Sequence, residues 1–202
     1  MDNKLKEIIS KAIADYNSNS PRLEFASELE NLGRKKEAKF VHLQLKTYGS
    51  RKDLDQADIV EHSSDSYLEI KLRQEIGEDF AKEILSDKIF SNIDSYAFSR
   101  GMVELVRCST QTFMDYGDEI LEKSPVYHLD VMEVNSPFSK FITQKSLSRM
   151  YSLDFRFCEL NDQDLEKFSE TEDEKETLKK ISEKNKGNGK AILLDNELNI
   201  VK

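Results

Sequence analysis

Apolar side chains recur at three- and four-residue steps through residues 4–17. Leu5, Ile8, Ile9, Ala12, Ile13 and Tyr16 would share one face of an amphipathic helix. Asn17-Ser18-Asn19-Ser20 interrupts the pattern. Ser20 then supplies an N-cap oxygen, and Pro21 takes the first helical position, where a missing N–H costs nothing. The second helix places Leu23, Phe25, Ala26 and Leu29 on its buried side and ends at Gly33, a suitable C′ residue. A third helix over 34–48 turns Ala38, Val41, Leu45 and one of Phe40 or Leu43 inward, and Gly49-Ser50 stops it. Residues 50–66 are polar and read as a loop or a short exposed helix. Helical spacing returns with Leu68, Leu72, Ile76, Phe80 and Ile84, and Gly77 is placed to separate two helices.

Further along, the pattern acquires a longer period. Leu105, Leu129 and Leu153 stand 24 residues apart, as do Met102, Val126 and Met150. The stretch Met150-Tyr151-Ser152-Leu153-Asp154-Phe155-Arg156-Phe157-Cys158-Glu159-Leu160 fits L-x-x-L-x-L-x-x-N/C-x-L, with Met and Phe standing for Leu. It therefore resembles a leucine-rich repeat, with Cys158 as a small turn residue bonding the neighbouring coil. The third apolar position holds Arg107, Val131 and Phe155, so Arg107 breaks the first unit, and Val134 deviates in the second. Helical patterns lie between: Thr110 to Lys123, a shorter one from Pro137 to Leu147, and one capped by Asn161 or Asp162 that carries Leu165 and Phe168. Strands so linked are parallel whether they are repeats or an ordinary βαβ segment with accidental regularity. On the repeat reading three outward rows follow: Glu104, His128, Ser152; then Val106, Asp130, Asp154; then Cys108, Met132, Arg156. His128, Asp130, Ser152, Asp154 and Arg156 are the polar partner-binding candidates on that face.

Three segments resemble the bacterial repeat-companion domain that lies beside leucine-rich repeats. They are Pro21-Arg22-Leu23-Glu24-Phe25-Ala26-Ser27-Glu28-Leu29-Glu30-Asn31-Leu32-Gly33, then Ala38-Lys39-Phe40-Val41-His42-Leu43-Gln44-Leu45, then Tyr96-Ala97-Phe98-Ser99-Arg100-Gly101-Met102-Val103-Glu104-Leu105-Val106. The third is similar to a single strand of that domain. Ser27, Glu28 and Lys39 depart from the family, which favours Asp, Trp and Glu there. The resemblance implies a structural lead-in to a repeat array and no enzymatic activity.

The fold expected is α-rich α/β: a helical companion unit over 1–95, then leucine-rich-repeat-like strand/helix units with parallel strands over 96–168. A charged tether or helix follows at 169–189, with Leu178 and Ile181 as its large apolar residues. A β-hairpin or cap completes 190–202, turning at Asp195-Asn196-Glu197.

Charge and chemistry narrow the function classes. Acidic residues number 39 and basic ones 30, a net charge of −9 that disfavours nucleic acid as a partner. Cys108 and Cys158 form no CxxC, and His42, His62 and His128 show no metal spacing, so neither metal nor cofactor is expected. No glycine-rich phosphate cradle and no nucleophile motif selects a reaction. No run approaches the length of a membrane span. The expectation is a cytoplasmic, monomeric, non-enzymatic protein that binds a protein partner through its strand face. The alternative is an acidic inhibitor or immunity-type protein that neutralises a basic partner.

Overall fold

A computed structural model describes residues 1–48 and 64–185, with the paired strand positions 193–194 and 200–201. The chain is α/β and rich in helix: helices come first, then a four-stranded sheet in which β2 to β4 run parallel. It divides into two compact units. The first comprises Met1–Phe90, Phe98–Glu104 and Glu122–Pro125. The second comprises Ser91–Ala97, Leu105–Leu121 and Val126–Lys202. A boundary drawn after residue 95 falls within a strand, because the tip of a hairpin belongs to the first unit.

In the first unit α1 (Asn3–Ala14) buries Leu5, Ile8, Ile9 and Ala12 as its spacing requires. α2 spans Ser20–Asn31, with Pro21 in its first turn. Asn19, not Ser20, stands at the N-cap, and it makes no side-chain cap bond. Gly33 takes φ 76°, the left-handed region that a C′ residue needs. The buried side of α2 holds Phe25, Ala26 and Leu29 as expected, but Leu23 is 48% exposed and Arg22 is fully buried in its place. In α3 (Lys35–Tyr48), both Phe40 and Leu43 are buried. Gln44 points inward while Leu45 is half-buried. α4 (Ser64–Leu85) is one continuous helix, so Gly77 does not break it. A Cβ there would meet Arg73 Cγ at 3.4 Å and the Phe98 ring at 3.7 Å, ordinary van der Waals distances that leave room for an alanine. α5 (Asp87–Phe90) follows. The polar reading of residues 50–66 falls almost wholly outside the described residues. Phe25, Phe40, Phe80 and Phe98 form a ring cluster, with Phe98 stacked on Phe80 (5.8 Å) and edge-on to Phe40 (5.1 Å).

The stretch expected as one strand from Tyr96 is two: β1 (Ser95–Ser99) and β2 (Met102–Cys108), neighbours in the sheet. Arg100 (φ 51°) and Gly101 (φ 84°) form the two-residue turn, and two positive φ values in succession are what a type I′ hairpin requires. Three polar anchors hold it. Gly101 N–H donates to Gln44 Oε1 (3.1 Å), and Gln44 Nε2 donates to the buried Glu69 (2.7 Å). Arg100 donates to Tyr16 O (2.8 Å) and to Glu104 (3.1 Å), and lies over the Tyr16 ring. Arg22 donates from Nε (3.1 Å) and Nη2 (2.6 Å) to Glu104 Oε1, and from Nη1 to Ser18 O (2.7 Å). Glu104, expected on an open face, is thus buried between two arginines.

Gly101 is also sterically required. A Cβ at this position would fall 2.5 Å from Val41 Cγ1 and 2.8 Å from Val41 Cβ. Gly101→Ala should cost roughly 2–4 kcal/mol, from left-handed strain plus overlap with a buried, stiff side chain. Thermal unfolding checks this, and adding Val41→Ala should return part of the loss.

In the second unit, α6 (Thr110–Lys123) leads to β3 (His128–Val131), α7 (Phe138–Ile142), a 3₁₀ turn at Lys145–Arg149 and β4 (Ser152–Asp154). Val106, Leu129, Val131, Leu153 and Phe155 fill one side of the sheet with Phe113, Phe138 and Phe141 from the helices. α8 (Asp162–Phe168) opens with a capping box, in which Asn161 Oδ1 accepts from Asp164 N–H and the Asp164 side chain accepts from Asn161 N–H. The charged segment after it is helix, not tether. α9 (Glu172–Asn185) buries Leu178 and Ile181, and Ser182 Oγ donates to Leu160 O (3.0 Å). β5 (Leu193–Leu194) pairs antiparallel with β6 (Ile200–Val201), and the expected turn between them lies outside the described residues.

Candidate functional site: the strand face

A strand's side chains alternate between faces, so register decides which residues meet. β3 and β4 pair as His128 with Ser152, Leu129 with Leu153 and Asp130 with Asp154, the 24-residue step expected. β2 and β3 do not follow that step. They pair as Leu105 with His128, Val106 with Leu129, Arg107 with Asp130 and Cys108 with Val131. The offset is one residue shorter, and it moves every β2 side chain to the opposite face from the one the even period implies. Val106 and Cys108 are buried beside Leu129 and Val131, while Leu105 and Arg107 are half-buried. The rows drawn from the sequence for β2 are therefore corrected. Glu104, Val106 and Cys108 are not on the outer face, and Arg107 is no break in the pattern but a member of the outer row Arg107, Asp130, Asp154.

That row is a line of ion pairs. Arg107 Nε donates to Asp130 Oδ2 (2.7 Å), with Nη1 at 3.5 Å from Ser95 Oγ. Arg156 pairs with Asp154 through its guanidinium, and its backbone N–H donates to Asp154 Oδ1 (2.8 Å). In the other row His128 Nδ1 lies 2.7 Å from Ser152 Oγ, and the His128 ring sits edge-on to Tyr151. The five candidates are thus brought together, but not as five exposed contacts. His128, Asp130 and Asp154 are buried, Ser152 is half-buried and Arg156 alone is exposed. The carboxylates are buried because each is covered by the arginine that neutralises it.

Two residues that the sequence reading passed over complete the surface. Phe157 is 48% and Tyr151 59% exposed. The guanidinium carbons of Arg107 and Arg156 lie 5.9 and 6.0 Å from the Phe157 ring centroid, within cation–π range. Tyr151 and Phe157 occupy variable positions of the repeat template, so the spacing that selected Leu153 and Phe155 could not select them. A large aromatic at a position expected to face solvent was the signal available.

Burial raises the Asp130 pKa above 3.8, opposed by the Arg107 hydrogen bond and charge and reinforced by Asp154. A raised carboxyl favours the protonated folded form. Its contribution to stability is therefore complete below the unfolded value and declines as pH rises through the folded one. Carboxyl NMR should place the Asp130 midpoint above 3.8, and Asp130→Asn should remove this falling segment of the pH–stability curve.

The cysteines sit on the inner side. Cys158 Sγ donates to Val131 O (3.1 Å), the link to the neighbouring coil expected of it. Burial pushes both thiols up to about 12, far from nucleophilic use near neutrality. A polar cluster ties the next turn together. Asn135 Oδ1 accepts from Gln111 N–H (3.0 Å), and Thr110 Oγ1 accepts from Asn135 N–H (3.1 Å) and Ser136 Oγ (2.8 Å). These bonds satisfy the start of α6. On the first unit, a groove of about 560 Å³ is lined by Glu30, Lys35, Lys39, His42 and Lys46 with Leu43 and Asp65. Its lysines, His42 and Glu30 are exposed surface chains, and Asp65 is half-buried.

Among the described residues no group of three or more His, Cys, Asp or Glu side chains is arranged to hold a metal ion, and no helix is long and apolar enough to cross a membrane. Comparison with family profiles, curated proteins and solved structures finds no match to this chain.

Proposed function

We propose that this chain is a non-enzymatic protein-interaction module: a companion-like helical unit leading into a short leucine-rich-repeat-like array that binds a protein through its strand face. One observation carries the reading. Tyr151 stands exposed against His128, and Phe157 stands exposed beside Arg107 and Arg156, whose guanidiniums are fixed by buried aspartates. Exposed aromatics and held arginines are the side chains that dominate protein interfaces, because they cover much area with little entropy left to lose. The parallel strands, the 24-residue step between β3 and β4 and the Cys158 turn support the repeat-like part of the reading. His128, Asp130, Ser152 and Asp154 act here as the base that positions the exposed groups, and Arg156 as a contact.

The test is capture of partners by the wild type and by a Tyr151→Ala/Phe157→Ala variant. Loss of about a hundredfold in affinity for a captured partner is expected. An unchanged Kd for every captured partner removes the face from the function. The net charge of −9 favours a second reading, an acidic inhibitor of a basic protein, in which binding weakens steeply with salt and ignores these two aromatic residues.

A further inference from the structure

We infer that the strand face takes an acidic segment of its partner, with carboxylates meeting Arg107 and Arg156 and an apolar side chain lying on Phe157. The inference rests on the strand-face reading above and adds the partner's chemistry. Its ground is an asymmetry of exposure. In the row Arg107, Asp130, Asp154 and the adjoining Arg156, cations and anions are equal in number but not equally placed. The arginine side chains are 37% and 40% exposed, while those of Asp130 and Asp154 are 6% and 4% exposed. Each pair is a dipole with its positive end toward solvent. A partner touching this face meets guanidinium, although the protein as a whole carries −9.

Geometry sharpens the point. Asp130 and Asp154 are register partners on adjacent strands, so the two dipoles stand side by side. Phe157 lies under both guanidiniums, which leaves an aromatic surface between two cationic groups. A guanidinium presents its N–H donors in a planar fork that matches a carboxylate. The aspartates fix the forks before a partner arrives, so less side-chain entropy remains to be lost on binding. Glu133, an exposed carboxylate at the end of β3, accepts from Asn135 Nδ2 (3.3 Å) in the cluster that caps α6. A lysine-rich partner would bring like charge against the exposed guanidiniums, so the face selects against the basic partner of the alternative reading.

The experiment uses the full chain and three fluorescent peptides: one alternating Glu and Phe, one with Gln for Glu and one with Lys for Glu. Anisotropy titrations are run at low and physiological salt. The Glu peptide should bind at least about tenfold more tightly than the Gln peptide, and the Lys peptide most weakly. Arg107→Gln/Arg156→Gln should abolish that preference. Arg107→Lys/Arg156→Lys keeps the charges and guards against loss of fold, with circular dichroism of each variant alongside; it should retain part of the preference. Equal binding of the Glu and Lys peptides overturns the inference, as does a Glu preference that survives Arg107→Gln/Arg156→Gln. Phe157→Ala separates the two levels. If it weakens all three peptides alike and charge has no effect, the face binds but the acidic specificity is wrong. If no variant affects any peptide, the strand-face reading falls too. Concentration-dependent self-association lost in the arginine variants would make a second copy the occupant, and overturns the inference as stated.

Discussion

Glu104→Ala should destabilise the protein by about 3–5 kcal/mol, a large share of the roughly 5–15 kcal/mol that holds a typical domain together. The carboxylate is 2% exposed and bonded to two arginines that are themselves buried. Arg22 approaches through both Nε and Nη2, and Arg100 through Nη2. Removing the acid leaves two buried guanidiniums without their carboxylate, while the Ser18 and Tyr16 carbonyls still accept from them. A buried pair contributes little net stability against an apolar replacement, but breaking one side of it is costly. Glu104→Gln should be intermediate, because the amide keeps one acceptor while losing the charge. Urea unfolding followed by circular dichroism measures both. A loss under about 1 kcal/mol for Glu104→Ala would show that the arginines relax into solvent.

Phe155→Ala should cost a comparable 3–5 kcal/mol, about the value for deleting a fully buried aromatic ring. Phe155 is fully buried, edge-on to Phe141 and Phe138 at 6.2 Å each. The change opens a cavity between the sheet and α7, whose own rings are also buried. Phe155→Leu should recover most of the loss, since it keeps most of the apolar volume. The local signature is faster hydrogen exchange at Leu129 and Val131, whose strand lies on the same core. Exchange there at wild-type rates after Phe155→Ala would mean that the core refills from elsewhere.

Legibility differed from element to element for physical reasons. The α1 face of Leu5, Ile8, Ile9 and Ala12 and the turn at Gly33 follow from local spacing and one backbone conformation, and both stand in the structure, while Ile13 and Tyr16 are half-buried. Gly77 misled because a glycine inside a helix looks like a stop, while α4 carries it through without a break. Arg22 and Gln44 were passed over in favour of Leu23 and Leu45, because apolar pattern cannot show that a buried polar partner waits across the fold. The even 24-residue spacing of the leucines read β3 and β4 correctly and misaligned β2 by one residue. A one-residue slip keeps the apolar count and changes every neighbour, so Arg107 looked like an error when it was the partner of Asp130. The five candidate residues lie together, but their burial was not legible. Burial of Asp130 and Asp154 depends on side chains from adjoining strands and turns, which no single row reveals.

The split composition of the first unit has a consequence for synthesis. The ionic lock on Arg22 closes only when Glu104, 82 residues later, is available. The unit is complete only with Glu122–Pro125. Closing so long a loop carries an entropic cost that local helix contacts do not share. A ribosome adds about 5–20 residues per second, so Arg22 waits several seconds in a nascent chain before its acid emerges. During that interval α1 to α4 have an incomplete core and an arginine that lacks its carboxylate, a substrate for chaperones. Stalled chains ending before Glu104 should remain protease-sensitive, and those extending well past Pro125 should not.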